Sequence, residues 1–172
     1  LEPDSDARNL AKSVNDVELL DQQALYSLES ECFDVITMWH VLEHVYHLKK
    51  DVQHITKLLK AGGTLVVAVP NMSSYDAKHY KEYWAAYDLP IHLYHFTKQD
   101  IINLFGLYNF ELIETRPMVF DSFYVSMLSE KYKNGSLIKG FLTGLKSNWL
   151  AREGTYSSQI YILRLKSNRK SY

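Results

Sequence analysis

The sequence predicts an α/β fold built on a mostly parallel sheet, and three features of the chain carry that prediction. Two short apolar segments, 33–39 (FDVITMW) and 64–69 (TLVVAV), are typical of strands that a parallel sheet buries on both faces. The segment between them predicts an amphipathic helix, which completes a right-handed βαβ unit. The alternating segment 158–165 (SQIYILRL) predicts a late antiparallel strand that closes the sheet.

The N-terminal part contributes two weaker elements. Pro3 and Asp4 favour the start of a helix over 4–13, whose apolar residues share one face. A weak strand is predicted over 17–20.

The helix over 48–60 is the best defined element of the chain. Its apolar residues follow one another at steps of four, three and four: Leu48, Val52, Ile55 and Leu59. Gly62 and Gly63 then predict its end, because glycine commonly terminates helices.

After Pro70 the chain becomes rich in aromatic residues, and we interpret 70–96 as a lid insertion. Thr97 predicts the N-cap of a helix that reaches about Leu107, with Asp100 forming an imperfect capping box.

The C-terminal part predicts a strand over 110–116 and two helices, near 121–131 and 136–151. We treat 121–151 as a pair of C-terminal helices within a single domain that spans 1–172.

The bulk composition excludes several classes of protein. The 172 residues include 19 Lys and Arg against 20 Asp and Glu, which gives a net charge of −1 without a basic patch for nucleic acid. Cys32 is alone, so one chain cannot form a disulfide. Since no apolar run approaches 18 residues, we expect no membrane span and a cytoplasmic location.

Three segments in order resemble a known family: 33–45 (FDVITMWHVLEHV), 60–71 (KAGGTLVVAVPN) and 88–105 (DLPIHLYHFTKQDIINLF). Together they are similar to class I S-adenosylmethionine-dependent methyltransferases, in the branch related to the ubiquinone-biosynthesis O-methyltransferases. The resemblance implies a Rossmann-like sheet with one antiparallel strand. It also implies methyl transfer from S-adenosylmethionine to a small-molecule acceptor.

The resemblance implies three cofactor-binding residues. Glu2 corresponds to the acidic residue that accepts hydrogen bonds from the ribose hydroxyls, although an acid before a helix also favours its positive end. Trp39 and His40 lie where ligands bind in open α/β sheets, at the carboxyl end of a strand. We expect Glu43 and His44 to hold the following loop by hydrogen bonds, and we assign no metal ligand.

The lid holds the candidate catalytic residues. His92 is the first candidate for the general base and His95 the second, because a histidine near its usual pKa can remove a proton from a hydroxyl. The alternative is that both hold the lid together by hydrogen bonds. Four aromatic residues are candidates for an acceptor pocket, or for ordinary lid packing: Tyr75, Tyr83, Trp84 and Tyr87.

Two absences refine these expectations. The position after 33–39 lacks the Asn/Asp-Pro-Pro-aromatic tetrad of many enzymes that methylate nitrogen, which favours an oxygen or carbon acceptor. No glycine precedes Gly62 and no Gly-x-Gly occurs, so the first strand and glycine-rich loop of the family are expected to lie before Leu1. We therefore expect this chain to bind the cofactor poorly, and to self-associate through 33–39 or the C-terminal helices.

Other classes stay open at this point. His40, Glu43 and His44 satisfy H-x-x-E-H, an inverted zinc-peptidase motif. A nicotinamide-dependent reductase shares the α/β layout. A non-catalytic, methyltransferase-like binding module is the main alternative.

The last predicted helix carries an apolar stripe, which consists of Ile138, Leu142, Leu145 and Trp149. We expect it to pack in the core, the alternative being peripheral contact with a membrane or a lipophilic acceptor. Gly140 and Gly144 predict close packing of this helix against a neighbour.

Overall fold

A computed structural model of the chain describes residues 1–152 and 154–167. Its helices and strands follow one another as α1 (Ser5–Asn15), β1 (Phe33–Trp39), α2 (Leu48–Leu58), β2 (Leu59–Pro70), α3 (Tyr75–Tyr80), α4 (Lys98–Gly106), β3 (Phe110–Pro117), α5 (Asp121–Tyr132), α6 (Leu137–Leu150) and β4 (Ser158–Leu165). Short 3₁₀ turns lie at Gln22–Tyr26, Leu42–His44, Lys81–Tyr83 and Ala85–Tyr87. No strand forms over 17–20, so that weak prediction was wrong.

The four strands form one sheet in the order β1-β2-β4-β3. β1 and β2 are parallel neighbours, and β4 runs antiparallel to both β2 and β3. The prediction of a mostly parallel sheet with one late antiparallel strand is therefore confirmed. That a further strand lies before Leu1 stays a prediction.

The junction between α2 and β2 differs from the prediction. The helix ends at Leu58 and the strand begins at Leu59, so Gly62 and Gly63 lie inside the strand rather than at a helix stop. The pairing with β1 jumps from Leu59 to Thr64, and this irregularity accommodates the positive φ of +79° at Gly62. Glycine tolerates that backbone conformation because it has no Cβ.

The main core lies on one face of the sheet. Leu65, Val67 and Val69 of β2 point to this face and pack against α2 and α4. The opposite face is less well covered, and in β1 only Met38 is buried. The prediction that β1 is buried on both faces was therefore wrong, because β1 is an edge strand and α1 contributes no buried residue.

A second, smaller core joins the lid to α5. It consists of Ala77, Tyr80, Trp84, Ala85, Ala86 and Val125. The lid therefore has apolar packing of its own and lies against the C-terminal helices.

Helices α5 and α6 pack closely, as their glycines predict. A Cβ at Gly140 would lie 2.6 Å from Met127 Cα, and one at Gly144 would lie 2.7 Å from Phe123 Cα. The apolar stripe of α6 faces away from this contact and is exposed, with Trp149 at 81%. The expectation that the stripe packs in the core was wrong, because the small-residue face of α6 occupies the interface instead.

None of the described helices has the length and apolar character that a bilayer span requires.

The glycine contact predicts a specific loss of stability. We expect Gly144→Ala to lower the free energy of unfolding by about 1 to 3 kcal/mol, because the new methyl group would overlap the backbone of α5. Urea denaturation followed by circular dichroism measures this change. Gly106→Ala is the matched control, since no atom lies within 4 Å of its Cβ position, and it should be neutral or stabilise by up to about 1 kcal/mol. Equal midpoints for the two variants would contradict the packing.

Candidate functional site

The candidate site begins where β1 ends. The His40 N–H donates to Ala68 O at 2.9 Å, which continues the pairing with β2 by one residue. His40 then adopts a φ of +50°, and the chain turns away from the sheet. Trp39 is half exposed on this rim. Trp39 and His40, two of the three residues expected to bind the cofactor, therefore lie at the carboxyl end of a parallel strand, where open α/β sheets bind ligands.

The His40 ring joins this rim to helix α5. Its Nδ1 lies 3.2 Å from Glu43 Oε1 and its Nε2 lies 3.2 Å from Asp121 Oδ2. The hydrogen bond to Asp121, followed by the one to Glu43, raises the pKa of His40 to about 9. The ring is therefore positively charged at neutral pH and donates from both nitrogens.

Glu43 connects the rim to the end of the lid. Its side chain is almost fully buried. Its backbone oxygen accepts hydrogen bonds from the N–H groups of Leu93 and Tyr94, at 2.8 and 3.3 Å. His44 makes a parallel link, because its Nδ1 lies 3.3 Å from Ile91 O. The prediction that Glu43 and His44 hold the loop by hydrogen bonds is confirmed.

A row of rings leads from this rim into the lid. The ring centroids of His44 and His92 are 4.6 Å apart, those of His92 and His95 are 6.4 Å apart, and those of His95 and Tyr87 are 5.0 Å apart. His92 Nδ1 lies 2.8 Å from Ala86 O, and His95 Nε2 lies 3.0 Å from Tyr87 O. The two histidines that the sequence singled out are thus neighbours, and each is anchored to a lid carbonyl.

The lid is held by a buried carboxylate that the sequence analysis missed. Asp76 accepts hydrogen bonds from Trp84 Nε1 at 2.8 Å, Ser147 Oγ at 2.7 Å and Ser157 Oγ at 2.7 Å. These donors come from the lid, from α6 and from the residue before β4. In the sequence, Asp76 resembles an ordinary acid in the first turn of a helix, and only its three distant partners show its role.

The lid and the end of α5 border an open cavity of about 940 Å³. Three of the predicted site residues line it, namely Trp84, Tyr87 and His95. Tyr75 lies elsewhere and stacks on His79, with ring centroids 5.7 Å apart. Tyr83 is also outside the lining and has Lys133 Nζ 5.6 Å from its ring centroid.

Glu2 lies at the start of α1. Its Oε1 accepts a hydrogen bond from Asp4 N–H at 2.9 Å, and its backbone oxygen accepts one from Arg8 at 2.7 Å. Within the described part of the chain, its second carboxylate oxygen has no hydrogen-bond partner. This oxygen is therefore free for an external donor such as a hydroxyl group.

The hypothesis of an inverted zinc-peptidase motif, H-x-x-E-H, does not match the local structure. Residues 42–44 form a single 3₁₀ turn, so His40 and His44 do not share a face of an α-helix. Both nitrogens of the His40 ring already lie beside carboxylates. The zinc-peptidase arrangement therefore does not form here.

The sequence profile of the family described as "Methyltransferase domain" matches residues 1–115. A S-adenosylmethionine-dependent methyltransferase from Thermotoga maritima has a TM-score of 0.68 at 17% identity, over 96% of this chain and 72% of that one. YcgJ from Bacillus subtilis has a TM-score of 0.58 at 16% identity, over 97% and 81%. A S-adenosylmethionine-dependent methyltransferase from Archaeoglobus fulgidus has a TM-score of 0.58 at 14% identity, over 95% and 73%.

At these identities the three structures share the fold alone with this chain. No curated protein sequence matches it.

Asp76 provides a graded test of the lid. We expect Asp76→Ala to lower the free energy of unfolding by about 3 to 5 kcal/mol, because three buried donors lose their acceptor. Asp76→Asn should cost less than half of that, since its amide oxygen can still accept from Trp84 and its amide nitrogen can donate to the Ser147 hydroxyl. Urea denaturation monitored by tryptophan fluorescence measures both. Equal losses from the two variants would contradict the hydrogen-bonded role.

Proposed function

The chain belongs to the methyltransferase-domain family, whose cofactor is S-adenosylmethionine, and on that premise we propose that it methylates an oxygen or carbon of a small molecule. The observation that carries the proposal is the cavity lined by Trp84, Tyr87 and His95, which the row of histidine rings connects to the carboxyl rim of β1. Charged side chains also line this cavity, namely Lys78, Lys81, Glu82 and Asp88. The combination of aromatic and charged side chains suits an acceptor that has a planar ring and polar substituents. The segment 88–105 supports the ubiquinone-biosynthesis O-methyltransferase-like branch as part of the same proposal.

The residues present fit two parts of the cofactor. A carboxylate oxygen of Glu2 is free to accept hydrogen bonds from the ribose hydroxyls. At the end of β1, the exposed Trp39 side chain and the left-handed backbone of His40 form an accessible surface that suits the methionine part. No glycine precedes Gly62, so residues 1–61 do not provide the glycine-rich turn of the family. Weak cofactor binding by this chain stays a prediction.

When bound, S-adenosylmethionine would supply an electrophilic methyl group, whose carbon an acceptor atom could attack in line, with the thioether S-adenosylhomocysteine as the leaving group. The chain must orient that acceptor and, for a hydroxyl, remove its proton. Trp84 is fixed by Asp76 and Tyr87 packs edge-to-face on it at 5.2 Å, so the aromatic wall is rigid. A rigid wall lowers the entropic cost of holding the acceptor in place.

Of the two candidate histidines, we propose His95 as the general base. His95 lines the cavity, and its Nε2 is occupied by the Tyr87 carbonyl, so Nδ1 keeps the basic lone pair. His92 does not line the cavity and lies beside Glu43 and His44 instead. It is therefore further from an acceptor in the cavity.

The methyl-transfer proposal is tested by incubating the protein with a panel of phenols, enols and amines at millimolar S-adenosylmethionine, followed by mass spectrometry. We expect methylated oxygen or carbon products, and a His95→Gln rate lower by about 10²- to 10⁴-fold, because glutamine keeps the hydrogen bond to Tyr87 O but has no basic nitrogen. The exposed His47→Gln is the matched control and should retain the wild-type rate. Methylation of amines alone would contradict the acceptor class, and an unchanged His95→Gln rate would contradict the base.

A second candidate function, a binding module that contacts membranes, is favoured by the exposed face of α6. Its apolar stripe consists of Ile138, Leu142, Leu145 and Trp149, and Lys139 and Lys146 lie on the same helix without an acidic residue. Exposed apolar and basic side chains on one helix suit an anionic lipid surface. This face could also deliver a lipophilic acceptor.

Vesicle co-sedimentation tests the second candidate. We expect the protein to sediment with vesicles that contain phosphatidylglycerol and less with pure phosphatidylcholine, and the double variant Leu142→Ser, Trp149→Ser to lose at least about 80% of the bound fraction because it removes apolar contact area. Leu10→Ser on α1, also exposed, is the control. A wild-type protein that stays in the supernatant with both vesicles would exclude the membrane contact.

A further inference from the structure

Three side chains from two separate segments meet beside the carboxyl end of β1. Glu43 and His44 lie on the 3₁₀ turn after β1, and His92 lies at the end of the lid. Each offers one ligand atom, and the three atoms lie within 4.8 Å of one another. We refer to them as the Glu43–His44–His92 cluster.

Each histidine of the cluster has one ring nitrogen beside a backbone carbonyl oxygen. His44 Nδ1 faces Ile91 O at 3.3 Å and His92 Nδ1 faces Ala86 O at 2.8 Å. Because a carbonyl oxygen only accepts, each Nδ1 carries the hydrogen and each Nε2 keeps its lone pair. Metal-binding histidines generally donate their second ring nitrogen to a carbonyl or carboxylate in this way.

The carboxylate of the cluster has an unsatisfied oxygen. Glu43 is 1% exposed, and its Oε1 lies 3.2 Å from His40 Nδ1. Among residues 1–152 and 154–167, no group hydrogen-bonds to the buried Oε2. A buried carboxylate oxygen without a partner is costly, and a cation beside it would remove that cost.

The dimensions of the cluster suit a small cation. Since no two ligand atoms are more than 4.8 Å apart, a point exists within about 2.8 Å of all three. Zinc binds histidine nitrogen and carboxylate oxygen at about 2.0 to 2.2 Å. Shifts of less than about 1 Å, within the reach of side-chain rotation, would close the site.

We propose that the Glu43–His44–His92 cluster binds a divalent transition-metal ion of the Zn²⁺ type. Two imidazoles and one carboxylate favour such an ion over Mg²⁺ or Ca²⁺, which prefer oxygen ligands. Three protein ligands leave a coordination position for water. The proposal reverses the expectation of no metal ligand, and it uses a different set from H-x-x-E-H because His40 is not a ligand.

An ion in this cluster would strengthen an existing connection. Glu43 O already accepts hydrogen bonds from Leu93 and Tyr94, so the turn after β1 and the end of the lid are held together. Coordination by His44 and His92 would add a second link between the same two segments. The inference concerns ion binding and does not depend on the identity of the methyl acceptor.

The test uses the whole chain, stripped with a chelator and titrated with Zn²⁺ by calorimetry, with Co²⁺ as a spectroscopic probe. We expect one Zn²⁺ per chain and a visible d–d absorption on addition of Co²⁺. His44→Asn and His92→Asn should each weaken Zn²⁺ binding by at least roughly 100-fold, beyond the 10- to 100-fold typical of losing an outer-shell partner. We expect both variants to fold, because asparagine can still donate to the Ile91 or Ala86 carbonyl.

His54→Asn is the matched control, because His54 Nδ1 also faces a backbone carbonyl, that of Lys50 at 2.9 Å, but lies outside the cluster. It should bind Zn²⁺ as the wild type does. Absence of Zn²⁺ uptake by the wild type, or unchanged binding in folded His44→Asn and His92→Asn, would overturn the proposal. Should either variant fail to fold by circular dichroism, the Co²⁺ spectrum of the wild type still decides, since no absorption overturns the site.

Discussion

The arrangement of the candidate site depends on the buried residue Glu43. Its side chain bonds to charged His40, which reaches Asp121 on α5, and its backbone oxygen accepts from Leu93 and Tyr94 at the end of the lid. One residue therefore joins the turn after the edge strand β1, a C-terminal helix and the lid. A buried carboxylate tolerates few positions, because each of its oxygens must find a donor or a cation in a region that water does not reach. This constraint holds the three segments in one geometry.

Asp76 has the same physical role on the other side of the lid. It collects donors from the lid, α6 and the segment before β4, while the small apolar core around Trp84 packs beneath it. The carboxylate of Asp76 and the backbone oxygen of Glu43 thus hold the two ends of the 70–96 insertion. A lid held in this way presents an ordered wall to its cavity. Preorganised walls suit a reaction that depends on the alignment of two groups.

The molecule leaves apolar surface uncovered on strand β1 and on helix α6. The sheet buries one face against α2 and α4, but β1 leaves Val35 and Trp39 exposed, and α6 turns its apolar stripe to solvent. Close packing through Gly140 and Gly144 explains why the apolar stripe of α6 is exposed. This packing requires the small-residue face of α6 to contact α5. Apolar side chains of this helix are thereby placed on the outside, where contacts with lipids or lipophilic molecules can form.

By itself, the sequence determined the order and type of the main elements. Helix α2, strand β2 and the closing strand β4 follow from local periodicity, and the capping box of Thr97 and Asp100 marks the start of α4 because both partners lie within one turn. The sequence also placed Trp39 and His40 at the carboxyl rim. Local patterns carry this information because they depend on neighbours three or four residues away.

Only the tertiary structure decided which distant groups meet. Periodicity shows that one face of α6 is apolar but not which face its neighbour occupies, so the exposure of Trp149 could not be read from the chain. The Glu43–His44–His92 cluster and the three donors of Asp76 join residues far apart in sequence. These sites form because the fold brings distant segments together. A local sequence pattern depends only on neighbouring residues, so it cannot predict which distant side chains will meet.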